Sequence, residues 1–338
     1  MVIGQFDTSR KVMLVAEAGV NHEGDLTHAK RMVEKAAKAG ADAIKFQTYK
    51  TEQLLMSREK ERIAQRRKFE LSNRQFRALA EHCKSWNIMF LSTPFDKESL
   101  EFLNDLVPAF KISSLDFNNY HLIKCALRTG KPLIMSCGMS NDTTIKGTLG
   151  FVREQTGQDF IKRSITLLHC VSSYPAPYEE INLMSIPYLA ERYGLEVGYS
   201  DHAVGINMSL AAVALGARIV EKHFTLDKEM AGIRDHRLSA DPEDLKRLVE
   251  GIRQIEAALG KKGKEIAPAE KDSLYLMRRG LVAAADLERG SVLTEENVKL
   301  LLPCEGIQGE KYFTVLGRLV KRTIKEGEPV RFDDIAWE

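Results

Sequence analysis

Short apolar and β-branched runs recur along the long first part of the chain, at residues 13–20, 43–48, 88–93, 110–114, 132–137, 165–171, 196–201 and 218–225. Each reads as a strand bounded by polar or glycine-containing turns. Helical spacing fills the intervals: Ala29, Met32, Val33, Ala36 and Ala37 fall at i, i+3, i+4, i+7 and i+8, a stripe that one helix face would bury, and Gly40 supplies its stop. A clearer helix begins at Asp241-Pro242-Glu243, an N-cap followed by proline at the first helical position, and carries Leu245, Leu248, Val249, Ile252, Ile255 and Leu259 up to Gly260. Eight strands alternating with helices over about 250 residues predict a TIM-type (β/α)8 barrel, with a doubly wound open sheet as the alternative.

Past Gly260 the pattern changes. Lys261-Lys262-Gly263-Lys264 and Pro268 predict a linker over residues 261–274, and residues 275–338 read as short strand-like runs with tight turns. Within them Leu287, Gly290, Leu293 and Val298 are echoed 37 positions later by Ile324, Gly327, Val330 and Ile335. Such an echo predicts a small β-rich fold with pseudo-twofold symmetry. At 338 residues the chain exceeds the roughly 250–300 at which single cores stop growing, in keeping with a barrel at residues 1–260 and a smaller second domain.

Composition narrows the class. The net charge of +2 comes from 49 basic and 47 acidic residues mixed along the chain, which gives no sign of a nucleic-acid partner. No apolar stretch is long enough for a bilayer span or a signal peptide, so no membrane partner is expected either. The five cysteines lack a C-x-x-C pair, against a disulfide framework or structural zinc and in keeping with a cytoplasmic protein.

In a parallel barrel the C-terminal strand ends converge on one mouth, where catalytic groups sit. Those ends supply Glu17, Asn21 and His22 from the first run, Lys45 and Gln47 from the second, Ser92 and Thr93 from the third, and Lys111, Ser113 and Ser114 from the fourth. Ser136 follows in the fifth, Ser172, Ser173 and Tyr174 after the sixth, Ser200, Asp201 and His202 in the seventh, and Glu221 and His223 in the eighth. Singly, each has an ordinary structural explanation: a snorkelling lysine, a satisfied core hydroxyl, a packed histidine. Together on one edge they do not, because buried lysine charge is costly unless paired. The natural partner for two lysines among hydroxyl donors is a phosphate or carboxylate. His202 and His223, closing neighbouring strands, either bind a divalent ion such as Mn2+ or Mg2+ as a Lewis acid or serve as orienting and core residues.

The segments Val15-Ala16-Glu17-Ala18-Gly19-Val20-Asn21-His22-Glu23-Gly24, Ala43-Ile44-Lys45-Phe46-Gln47-Thr48, Tyr174-Pro175-Ala176-Pro177-Tyr178, Gly198-Tyr199-Ser200-Asp201-His202 and Glu221-Lys222-His223-Phe224-Thr225 resemble the sialic acid synthase family over essentially the whole chain. The tail resembles that family's antifreeze-like SAF domain. The resemblance implies condensation of phosphoenolpyruvate with the open-chain aldehyde of an N-acyl amino sugar, giving a nonulosonic acid and inorganic phosphate. It assigns Lys45, Thr93, Lys111, Ser114, Ser136 and Ser200 to phosphoenolpyruvate, His202 and His223 to a metal, Mn2+ before Mg2+ or Co2+, and Gln47, Tyr174 and Asp235 to the sugar. Glu17 falls where the family places the carboxylate that handles the attacking water, and Glu221 where a carboxylate can stabilise the cationic intermediate. A domain-swapped homodimer is also implied.

Three departures lie on the sugar side. Leu302 stands where N-acetylmannosamine-using members carry an arginine, Ser172 stands where many have asparagine, and Gly232-Ile233-Arg234-Asp235 replaces a Pro-Gly-Pro-Asp. Asp235-His236 is nearer the sialic and legionaminic branches than the pseudaminic one. The expected sugar is N-acetylmannosamine first, with its 6-phosphate or a 2,4-diacetamido-trideoxyhexose as alternatives. A metal-dependent pyruvate aldolase and a non-catalytic sugar-binding protein are the readings from other classes.

Overall fold

The computed structural model describes residues 1–337 and divides into two compact units, Met1–Gly260 and Lys261–Glu338. In the first, eight parallel strands form the sheet: β1 (Met13–Gly19), β2 (Ala43–Thr48), β3 (Met89–Pro94), β4 (Phe110–Ile112), β5 (Leu133–Ser136), β6 (Ile165–His169), β7 (Glu196–Asp201) and β8 (Ile219–His223). Their order, β3-β2-β1-β8-β7-β6-β5-β4, joins the first strand to the last, which excludes the open doubly wound sheet. The barrel is nearly closed, its seam lying where β3 and β4 run side by side. Several strands end earlier than their apolar runs. β4 stops at Ile112 because Ser114–Asp116 turns into a 3-10 helix, and β8 stops at His223, short of Thr225.

Side chains alternate along each strand. Met13, Val15, Ala43, Leu91, Ala109, Ile134, Leu168 and Ile219 pack together inside the barrel with Ile3, from a two-residue hairpin (Val2–Ile3 with Phe6–Asp7) that covers its N-terminal end. The intervening positions, among them Leu14, Ala16, Ile44, Phe90, Phe110, Val197, Tyr199 and Val220, face the helices in the larger outer core. The helix Leu26–Ala39 buries Ala29, Met32, Val33, Ala36 and Ala39, with Ala37 only partly covered; Asp25 caps it by accepting from the Thr27 and His28 N–H groups. Burying Met32 and Val33 stabilises the fold by about 1.5–3 kcal/mol each. Gly40 ends that helix at φ +90, a conformation that costs a residue with a Cβ.

The last barrel helix, Pro242–Leu259, starts as predicted with Asp241 accepting from the Asp244 N–H, and buries Leu245, Leu248 and Ile252, whereas Leu259 is exposed. Its Arg253 reaches Asp42, which also accepts from the Leu14 N–H and the Lys11 ammonium, so one carboxylate ties helix and strands together at the N-terminal end of the barrel. No helix among the described residues is long and apolar enough to cross a membrane.

In the second unit a 3-10 turn (Pro268–Glu270) and a short helix (Lys271–Leu276) occupy the second half of the stretch expected to be linker. Beyond it β9 (Gly280–Ala283) pairs antiparallel with β10 (Val298–Leu301). The 37-residue echo appears directly in the backbone. Leu287 and Ile324 exchange both N–H···O bonds at 2.8 Å, while the Gly290 N–H donates to Val320 O and the Gly327 N–H donates to Ala283 O. Ala284 donates to Asn297 O as Lys321 does to Asp334 O. Both glycines sit at positive φ, +87 and +82, which explains their recurrence.

Candidate active site

Two residues beyond the inward apolar layer, every strand or its end delivers one side chain to the same level: Glu17, Lys45, Thr93, Lys111, Ser136, Cys170, Ser200 and Glu221. All eight are buried. Four of them are charged, so each must find a partner there. The Lys45 ammonium lies 2.7 Å from a Glu17 carboxylate oxygen and 3.7 Å from Glu221, and donates to Thr93 Oγ1 at 2.8 Å. Lys111 donates to Ser136 Oγ at 2.6 Å and stands 3.9 Å from the other Glu221 oxygen, which accepts from Ser200 at 2.9 Å. Gln47, one step higher, donates to Glu17 at 3.3 Å.

The environments push the two carboxylates apart. Burial raises Glu17 despite Lys45, with Glu221 repulsion adding to the rise. Burial also works against the ionised form of Glu221, but the Lys111 and Lys45 ammoniums and the Ser200 hydroxyl outweigh it, and its pKa falls. Burial opposes the charge on Lys45 too, yet Glu17 and Glu221 overcome it and hold the ammonium. Lys111, with weaker pairing, is lowered by burial. Glu17 is thus the carboxylate that takes a proton most readily, and Glu221 stays ionised between two cations. Paired titratable groups driven apart in this way mark acid–base assignments.

Above the ring stand His202 and His223, ring centroids 5.4 Å apart, with Tyr174 4.2 Å from His202 and edge-on to His223 at 5.7 Å. Burial keeps both imidazoles neutral, so each has a lone pair to offer. His202 Nδ1 donates to Val171 O at 2.7 Å, which leaves Nε2 as the free nitrogen. His223 Nδ1 is buried without a hydrogen-bond partner. An orphaned imidazole nitrogen beside a second free one suits a divalent cation. No group of three or more His, Cys, Asp or Glu among the described residues is set to hold one, so the remaining ligands would be water or substrate oxygens.

Ser114 lies at the edge of the same mouth. Its Oγ accepts the Gly138 N–H at 3.0 Å and sits 3.1 Å from Cys170 Sγ. A Cβ on Gly138 would stand 2.5 Å from Ser172 Oγ, 2.7 Å from Cys170 Sγ and 2.8 Å from Ser114 Oγ, so the glycine keeps open a cradle of hydroxyls. Cys170 and Gly138 escaped sequence reasoning. The signal for Cys170 was its place two residues after inward Leu168, which the serines that follow it obscured. Asp235 sits in a 3-10 turn (Arg234–Leu238) whose backbone is held by Ser239 Oγ donating to Asp235 O at 2.6 Å. Its charge, with burial as the larger cause, helps raise the Tyr174 phenol. Leu302 is exposed on the second unit.

Residues 32–264 match the NeuB family and residues 278–336 the SAF domain. The N,N'-diacetyllegionaminic acid synthase of Campylobacter jejuni is 40% identical over 336 residues, 95% of this chain and 99% of that one. A pseudaminic acid synthase from the same species is 34% identical over 348 residues, covering 99% of both. The crystal structure of N-acetylneuraminic acid (sialic acid) synthetase from Leptospira borgpetersenii superposes with a TM-score of 0.75 at 36% identity, covering 81% of this chain and 94% of that one. With a mouth of paired lysines and glutamates on a (β/α)8 barrel and a C-terminal SAF domain, the chain belongs to the NeuB family.

Proposed function

We propose that the chain is a synthase that condenses phosphoenolpyruvate with the open-chain aldehyde of an N-acyl amino sugar, releasing inorganic phosphate and forming a nonulosonic acid. The observation that carries this reading is the ring itself: two lysines and two glutamates, all buried, with hydroxyls between them. With both glutamates ionised such a ring is neutral, and it can open to an anion by exchanging partners. Lys45 and Lys111 then meet the phosphate and carboxylate of phosphoenolpyruvate, and Thr93, Ser114, Ser136 and Ser200 donate hydroxyl protons to them. Those contacts orient C3 toward the aldehyde carbon.

Glu17, its pKa raised, accepts the proton of the water that adds to C2 once the new C–C bond has formed. Glu221, held ionised, faces the positive charge that develops at C2. His202 and His223 would hold a divalent ion, Mn2+ first and Mg2+ or Co2+ next. When bound, that ion supplies Lewis-acid polarisation of the aldehyde oxygen. Gln47, Tyr174 and Asp235 would contact the sugar.

The acceptor placed first is a 2,4-diacetamido-trideoxyhexose, a reading supported by the likeness to legionaminic acid synthases from two genera, at 40% and 35% identity. N-acetylmannosamine is the second reading, supported by the sialic acid synthetase structure. The test is to mix protein, phosphoenolpyruvate and Mn2+ with each sugar, follow inorganic phosphate and weigh the product. Phosphate release with one sugar, and a product mass equal to that sugar plus pyruvate, is expected. No phosphate with any sugar of either class rejects the proposal, and reversible cleavage to free pyruvate points to an aldolase instead. We also propose a homodimer, supported by the exposed Leu301, Leu302 and Phe313 of the second unit; sedimentation at the monomer mass rejects it.

A further inference from the structure

The residues between the functional ones on β7 and β8 point the other way. Ser200, His202, Glu221 and His223 face the mouth, so strand alternation turns Asp201 and Lys222 outward, between barrel and helices, at the same height. They are directly opposite one another in the β7–β8 ladder, and neither has any exposed surface. Lys222 Nζ stands 3.3 Å from Asp201 Oδ2 and donates to Ala203 O. The Asp201 carboxylate also accepts from the Ala203 N–H at 2.8 Å, Ser209 Oγ at 2.6 Å and Tyr199 OH at 3.3 Å. Lysine and aspartate together therefore grip the backbone on the far side of His202, while His223 directly follows Lys222.

A buried ion pair contributes little net stability over apolar residues of equal volume, because desolvation offsets the attraction. This one does something an apolar pair cannot: it pins the turn after His202 to the strand that carries His223. We propose that the Asp201–Lys222 pair positions the two imidazoles relative to each other and thereby sets the affinity for a divalent cation. The inference rests on the reading of His202 and His223 as metal ligands. Outer partners that orient metal ligands typically change affinity by about 10–100-fold when removed.

The test titrates Mn2+ alone into the full-length protein and follows the free ion by electron paramagnetic resonance. The double variant Asp201→Asn with Lys222→Met removes both charges at once, so no uncompensated charge is left buried. Ser209→Ala, which removes one donor to the carboxylate, is the milder variant should the double one fail to fold. Asp42→Asn serves as the structural control, since it breaks a comparable carboxylate hub at the opposite end of the barrel. The expected result is a Kd for Mn2+ at least tenfold weaker in the double variant and severalfold weaker in Ser209→Ala, with Asp42→Asn lowering the melting temperature but leaving Kd unchanged. Folded variants that bind Mn2+ within twofold of the wild type overturn the positioning role. A wild-type protein that binds no Mn2+ overturns the metal reading itself, and with it this inference.

Discussion

Replacing Glu17 with glutamine separates binding from turnover in the ring. The side chain keeps its size and its neighbours Lys45 and Gln47, but the count of two lysines against two glutamates becomes two against one. An anionic group arriving roughly 5 Å from the lost charge gains at most about 3 kcal/mol at an effective dielectric of about 20. Side-chain relaxation absorbs much of that, and a roughly tenfold tighter phosphoenolpyruvate complex, about 1.4 kcal/mol, is the expected size. Turnover moves the opposite way, since loss of a positioned general base lowers kcat by about 10²–10⁴-fold. The pH profile supplies a third sign. Burial raises the Glu17 pKa, and a base must be ionised to act, so wild-type kcat falls as pH drops through that raised value. The variant lacks this acid limb. Calorimetric titration of phosphoenolpyruvate and stopped assays of phosphate release measure the two effects separately. A variant with kcat within tenfold of the wild type refutes the base assignment, and one that binds phosphoenolpyruvate tenfold more weakly refutes the charge argument.

Three further outcomes follow from the same geometry. His202→Ala, with its Nε2 gone, is expected to lose chelator-sensitive turnover, and activity that EDTA leaves untouched in the wild type defeats the metal assignment. Gly138→Ala places a methyl 2.5–2.8 Å from Ser172, Cys170 and Ser114, so the KM for phosphoenolpyruvate should rise tenfold or more with a smaller change in kcat; an unchanged KM removes Gly138 from the anion cradle. His22 lies outside the ring, fully buried, and burial lowers its pKa from 6.5 to about 4. A depressed folded pKa means its contribution is complete above about 6.5 and is lost as pH falls toward 4, a difference of about 3 kcal/mol. His22→Asn keeps an acceptor for the Gly24 N–H without that titration, so denaturant midpoints should fall less steeply between those pH values than in the wild type. Equal slopes sink the linkage.

The inner half of the site was legible because strand alternation is local. Val15 and Glu17, Ala43 and Lys45, Leu91 and Thr93, Ile134 and Ser136 are pairs two residues apart, apolar then polar, and a run that turns polar on its inward side shows its mouth in the sequence alone. Cys170 obeys the same spacing after Leu168, but a thiol in an apolar run reads as core, and the hydroxyls that mark a mouth come only after it, at Ser172 and Ser173. Strand ends were overestimated for a related reason: Ser113, Ser114 and Val171 continue the composition of β4 and β6 after the backbone has left the ladder, and composition carries no hydrogen bonds. The outer half was not legible at all. Asp201 and Lys222 look, in sequence, like polar neighbours of two histidines, and their meaning depends on a register between β7 and β8 that no local pattern encodes. The 37-residue echo lies between these cases, since its glycines were visible while the exchange of hydrogen bonds between Leu287 and Ile324 needed the fold. What a single strand says about itself can be read from its residues. What it says about its neighbour requires the ladder, and at this site the neighbour relation is the one that holds two imidazoles at a fixed separation.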